Sequence, residues 1–335
     1  MRSIDRSASA NGVCEMNVFE FQKKYKFVAD FQTYPGTEGA VYDVHRLEYM
    51  KLSFVLHLYW IGSLREHAKG LLAFCDGAWD VIGSHVSHFR DNKKRKNPAK
   101  VTKATIEILR SWLIDPDHAP PMMALLDVFN KKFDISAADT RLDFNGLDFR
   151  GGGGVSLYLP PEWVEADPAR FSRLCADLAG TFEFCSGLAG YGLAIGETEG
   201  QTLAERELFS LGQHHPGLDL VSVFSNGLGQ GIKGANWLTF LHPIFVERMG
   251  GRTSLTTALN YPGIRILDLP RGVMIQAGDA PEIGDTNRRL DCPSYRAVGR
   301  VLSRIRDRNY PPVIGDESGT YVSADRTEEW LSRFD

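Results

Sequence analysis

The chain has 335 residues, 43% hydrophobic and 24% charged, the balance of a globular protein long enough to bury a large core. A formal net charge of −4 is too small to make the whole surface a partner for nucleic acid or anionic membrane, so any binding function must be local. The first twenty residues lack the apolar block of a signal peptide, and no run approaches the ~18 apolar residues of a membrane span, which predicts a cytoplasmic protein.

Residues 1–20, rich in Ser, Ala and Asn up to Gly12, read as a mobile tail. KYKFVADF (24–31) and MKLSFVLHLYW (50–60) read as strands, the second apolar enough to be buried on both faces. From 64 to 82 the period changes: Ala68, Leu71, Leu72, Cys75, Trp79 and Ile82 share one helical face, which places Cys75 in a core. DNKKRKNPAK (91–100) gathers Lys93, Lys94, Arg95 and Lys96 into a loop that suits either solvent or phosphate. Thr102 to Leu113 reads as a helix with Ile106, Leu109 and Leu113 inward, and PMMALLDVFNK (121–131) returns to strand.

TRLDFNGLDFR (140–150) alternates Leu142 and Phe144 and then carries the Asn145-Gly146 turn signal. The run Gly151 to Gly154 leads into a strand, not a helix, so it reads as a hairpin connection and not as a phosphate loop. In PPEWVEADPARFSRLCADLAGTF, Asp167 is the N-cap, Pro168 is N1, and Phe171, Leu174, Cys175, Leu178 and Phe182 form the inward stripe. FEFCSGLAGYGLAIG follows as a small-residue strand, and its Ser186 lacks the glycine two positions before it that a nucleophile elbow requires. Near the end Val298, Val301, Leu302 and Ile305 form a buried stripe opposite Arg296, Arg300, Arg304 and Arg308.

Candidates for chemistry are sparse. The five cysteines, odd in number and without a CxxC pair, predict free thiols, with neither a disulfide framework nor a metal site. His214 and His215 are adjacent and His85 and His88 lie three apart, without the acid and spacing of a helical zinc site, so loop or hydrogen-bonded roles are expected. The acid pairs Asp143 and Asp148, or Glu197 and Glu199, would suit glycosidase chemistry only at a separation that the sequence does not define. On these residues an enzyme remains open but every signal for it is weak, and neither a metal nor a cofactor is expected.

WLTFLHPIFVERMGG (237–251) and VMIQAGDAPEIGDTNRR, taken with PPEW, FEFCSGLAGYG and HPGLDL (215–220), resemble the TsiV-like type VI secretion immunity proteins. The resemblance spans roughly residues 50 to 308 and rests on Trp163, Gly187, Gly190, Trp237, Gly250, Gly251, Gly278, Gly284 and Asp285 as structural positions. It implies a cytoplasmic antidote that binds a cognate effector toxin encoded by the adjacent gene, with VRR-Nuc nucleases among such effectors. It assigns no catalytic residues and implies neither nucleic acid nor membrane as partner; the alternative is a hydrolase acting on a toxin product or small substrate. Gly278 and Gly284 are expected to permit tight turns, and Asp279 and Asp285 to cap local amides.

The fold expected is α+β, a mixed or antiparallel sheet packed against helices in one large compact unit, with an immunity-type domain over 21–310 and a C-terminal extension over 311–335. Between Asp134 and Asp219 fourteen acids face five arginines, a local net of −9. An acidic face would compete for the basic groove of a nuclease, which selects the loop acids Asp139, Asp143, Asp148, Glu197 and Glu199 as toxin-binding residues.

Overall fold

The computed structural model describes residues 16–335 apart from 34–42, 92–98, 103, 115–122, 130–136, 139, 148–151, 197–198, 221–230, 309–313 and 316–321. The basic loop at 93–96, Cys14 and the first fifteen residues lie outside the described residues, as do the side chains of Ile106, Leu109 and Leu113. Residues 16–20 do not behave as a tail: helix α1 (Val18–Lys24) starts at an Asn17 cap that accepts from Glu20 N at 2.9 Å, and it buries Val18 and Phe21. That helix takes the first residue of KYKFVADF, whose strand, β1 (Val28–Thr33), pairs with β2 (Asp43–Glu48) in a separate antiparallel hairpin.

The centre of the fold is β3 (Met50–Ile61), buried on both faces over most of its length as its continuous apolar run predicts. Helix α2 (Leu64–Ile82) follows, held by a Ser63–Glu66 capping box. It carries the predicted inward stripe, with Leu71, Cys75 and Ile82 fully buried. Next come β4 (His88–Asp91), β5 (Ala99–Lys100), α3 (Thr105–Ile114), β6 (Met123–Phe129), β7 (Arg141–Leu147) and β8 (Gly152–Leu159). Two expectations fail here. Asn145 and Gly146 do not turn the chain but continue β7, opposite Gly154 and Gly153. The glycines 152–154 are strand residues paired on both sides, with β7 and with the end of β3. A side chain at Gly152 would bring its Cβ to 2.6 Å from Trp60 O, so close approach of β3, and not flexibility, accounts for that glycine.

Helices α4 (Pro161–Ala166) and α5 (Pro168–Ala179) lead to β9 (Ser186–Ile195), α6 (Glu199–His214), β10 (Leu238–Leu241), α7 (Pro243–Arg248), α8 (Gly251–Ala258), β11 (Ile264–Leu269), β12 (Gly272–Ala277) and α9 (Pro293–Leu302). Asp167 caps α5 as predicted, accepting from Arg170 N at 3.0 Å. Among the described residues, ten strands form one antiparallel sheet in the order β11-β12-β10-β9-β3-β8-β7-β6-β4-β5. Its outer strand β11 is shielded by α8: the Ile266 carbonyl accepts from Arg252 Nη2 at 3.1 Å, and Arg252 also pairs with Asp268.

Two main cores flank this sheet. The larger one packs α2, α5, α7 and α9 on Phe54, Leu56, Leu58, Phe240 and Met274. The second lies where β3 and β9 run on beyond β8, and it joins Met50, Leu52, Tyr191 and Leu193 to α1, the β1–β2 hairpin and α6. The segment set apart as a C-terminal extension belongs to these cores. Strands β13 (Ile314–Gly315) and β14 (Val322–Ser323) precede α10 (Ala324–Leu331), whose Trp330 and Leu331 enter the second core while Phe334 packs edge-on to Tyr295 in the first. The architecture is the expected α+β unit with an antiparallel sheet. No helix among the described residues is long and apolar enough to cross a membrane.

The strand glycines give a direct test of this packing. At Gly187 a Cβ would lie 2.4 Å from Leu58 Cδ2 and 2.5 Å from His57 O. Gly187→Ala should therefore lower the unfolding free energy in urea by roughly 2–3 kcal/mol. Gly251 has φ +85°, but a Cβ there would meet nothing within 4 Å, so Gly251→Ala should cost only about 1 kcal/mol, the left-handed backbone penalty.

Candidate functional site

Of the five toxin-binding acids selected from sequence, Asp143 and Glu199 lie among the described residues. Asp143 is 3% exposed within β7 and paired with Arg141, so it is a core residue. Glu199 opens helix α6, not a loop. Asp139, Asp148 and Glu197 lie outside the described residues, but the strand ends next to them are defined. Ala137 N donates to Glu48 O and Gly196 N to Tyr49 O, both at 2.8 Å, so the described residues that precede Asp139 and Glu197 are each anchored just ahead of β3.

What the fold does bring together is a buried polar centre that sequence reading missed. The glycines of AGYG make room for it. A side chain at Gly190 would strike Asn236 Oδ1 at 2.2 Å, and one at Gly192 would meet Asp219 O at 2.8 Å. Asp219 N donates to Tyr191 O at 2.8 Å, which seats HPGLDL against β9. Asp219 then forms an ion pair with Lys233, both 3% exposed. His57 of β3 is 2% exposed, and its Nδ1 lies 2.7 Å from Ser156 Oγ. Asp143 is directly opposite Ser156 in register. Arg333 closes the assembly, donating to Pro216 O at 2.7 Å and stacking on Trp330, its Cζ 4.3 Å from the ring centroid. A histidine inside the apolar run of β3 and a lysine inside the glycine-flanked GIKGANW were the sequence signals available.

The electrostatics of this centre are those of a closed structural node. Burial drives the His57 imidazole down to about 4, so the ring is neutral at physiological pH. Burial alone would raise the Asp219 carboxyl, but the Lys233 ammonium, His57 and Arg333 together outweigh it and hold the group below the usual carboxylate range. Asp219 Oδ2 has no hydrogen-bond partner among the described residues, so the ammonium is its main compensation. Cys75, Cys175, Cys185 and Cys292 are buried free thiols. Burial pushes Cys75 and Cys185 up to about 12 and raises Cys175 and Cys292 as well, which keeps all four protonated.

The family-like motifs interlock as scaffold. Gly278 (φ +93°) and Gly284 (φ +72°) supply the left-handed turns expected of them. The Gly278 carbonyl accepts from Trp237 Nε1 at 3.2 Å. The Gly284 carbonyl accepts from His215 Nδ1 at 2.8 Å, which leaves Nε2 of the neutral ring to accept from Tyr25 OH at 2.9 Å. Asp285 caps Asn287 N at 3.0 Å as predicted, whereas Asp279 pairs with Arg265 on the surface and caps no amide among the described residues. Gly250 (φ +87°) and Gly251 turn α7 into α8, and Trp163 packs edge-on to His85 at 4.7 Å. His214 bonds the Ser210 carbonyl, a helix-end role. Among the described residues no group of three His, Cys, Asp or Glu side chains could hold a metal.

The family model described as TsiV, type VI immunity for VRR-NUC, matches residues 81–334. No curated protein matches the chain. Among solved structures the chain is similar to the Pseudomonas aeruginosa T6SS protein PA0821, at 18% identity and a TM-score of 0.74, over 94% of this chain and 90% of that one. At that identity the likeness establishes the fold.

Two measurements check the polar centre. Lys233→Met leaves the Asp219 carboxylate buried and unpaired, so it should cost about 3–5 kcal/mol, and Asp219→Leu in the same chain should recover most of the loss. With His57 near 4 when folded and 6.5 when unfolded, the denatured chain binds the proton first. The stability that goes with the neutral ring is fully present above pH 6.5 and is lost as pH drops from 6.5 to 4, the loss reaching about 3 kcal/mol at pH 4. Denaturant titrations across that range should show His57→Gln losing this part of the slope.

Proposed function

We propose that this chain, which belongs to the TsiV family of type VI immunity proteins, is a cytoplasmic antidote that binds a cognate effector nuclease of the VRR-NUC kind, encoded by the neighbouring gene. It neutralises that toxin by covering its substrate groove, with no chemistry of its own. The family match over residues 81–334 is the observation that carries this reading. The polar centre supports it: its ionisable groups are sealed from water and oriented towards one another, as a structural node requires.

A nuclease groove must be basic to hold phosphate, and an acidic rim on the antidote competes for it and steers encounter. Of the acids selected from sequence we assign this role to Asp139, Glu197 and Glu199. Their segments depart from neighbouring points at Glu48 and Tyr49. Asp143 is excluded by burial, and Asp148, which follows Leu147 in sequence, is not on either of these segments.

Co-expression with the neighbouring gene product in the cytoplasm should restore growth and yield a stable complex; neither rescue nor complex would refute the reading. Reversing Asp139, Glu197 and Glu199 to lysine should slow association about tenfold at low salt and flatten its salt dependence, with the melting temperature nearly unchanged.

A further inference from the structure

The second core carries a surface whose features are contiguous and unexplained by the fold. Phe19 on α1 is 70% exposed, the most exposed large hydrophobic side chain among the described residues, while Val18 and Phe21 of the same helix are 1% exposed. The helix is pinned, so Phe19 is displayed on a fixed platform. Glu20 pairs with Arg288 at 3.0 Å, Lys24 lies 3.9 Å from Asp285, and Tyr25 OH donates to His215. Beside it the turn Thr286–Arg288 is tied to α6 by Thr286 Oγ1 donating to Gln213 O at 3.2 Å.

Directly past that bond a groove of about 350 Å³ opens between α6 and α10, walled by Phe209, Gly212, Pro216 and Trp330 with Gln213 and Glu329 on its rim. Its charged groups are already engaged. Arg296 is paired with Asp291 at 2.5 Å, Arg333 donates to the carbonyls of Pro216, Trp330 and Leu218, and Glu329 accepts from Gln213 at 3.1 Å. Its deeper walls are apolar, formed by Phe209, Pro216 and Trp330, so the groove suits a large apolar side chain, and a charged one would lose its water against them. The solvent face of α6, formed by Gln201, Arg206, Ser210 and Gln213, runs from this groove back towards Glu199 and the acidic rim.

The geometry points to this face as the toxin-docking surface: Phe19 inserts into the toxin, and a large apolar side chain projecting from the toxin fills the groove between α6 and α10. This assignment rests on the antidote reading above and names the surface that carries it. The knob and groove hold the complex, as expected where desolvated aromatic anchors set dissociation.

The test uses the full chain and the purified product of the neighbouring gene, inactivated at its nuclease centre, in a titration that reads Kd and dissociation rate. Phe19→Asp removes the knob and Gln213→Trp blocks the groove, both at exposed positions. Ile244→Asp is the control, an apolar side chain 50% exposed on α7 at the opposite end of β9. Each of the first two substitutions should weaken binding at least tenfold, mainly through faster dissociation, while the control binds like the parent chain and all melt together. Binding by both variants within twofold of the parent overturns the docking face and leaves the antidote reading standing. Absence of binding by the parent chain overturns both.

Discussion

The pairing of β3 with β9 is the constraint on which the rest of the structure depends. Ten residue pairs join them, from Met50 opposite Ile195 to Tyr59 opposite Ser186. Both strands are almost wholly buried, so neither can slip by one residue without turning every side chain to the wrong face. β3 also pairs with β8 and β9 with β10, so this one register positions the rest of the sheet on both sides. The glycines of β9 give it a second role. By omitting side chains at 190 and 192 the strand admits Asn236 and the Asp219 segment at distances that any Cβ would forbid.

That admission creates the buried ion pair and explains why a protein with a large apolar core keeps charge inside it. An ion pair of this kind adds little net stability over an apolar replacement, but it is costly to break singly, so it favours one arrangement of the chain over its alternatives. Asp219 and Lys233 join HPGLDL to the strand that follows, Arg333 ties both to the last helix, and His215 ties them to Gly284 and Tyr25. The motifs by which the family is recognised are thus the contacts that hold distant segments together. Discrimination between toxins needs surfaces that can vary, and the described exposed features lie beside this frame, on α1, α6 and α10.

The sequence by itself determined the elements whose signals are local. The inward stripe of α2, the Asp167 cap and Pro168 start of α5, the unbroken apolar run of β3 and the turns at Gly278 and Gly284 follow from side-chain periodicity and backbone sterics within a few residues. The order of motifs likewise identified the family. Only the tertiary structure decided the features that depend on partners far along the chain. Asn145-Gly146 has the chemistry of a turn, yet two neighbouring strands hold it extended. Asp143 looks like a loop acid until β8 covers it, and the last helix looks like an extension until Trp330 and Phe334 find their cores. Lys233 and Asp219 are fourteen residues apart, and His57 is far from both. Their convergence depends on sheet register and on absent side chains at Gly190 and Gly192, which no local pattern encodes because the energy resides in contacts between segments.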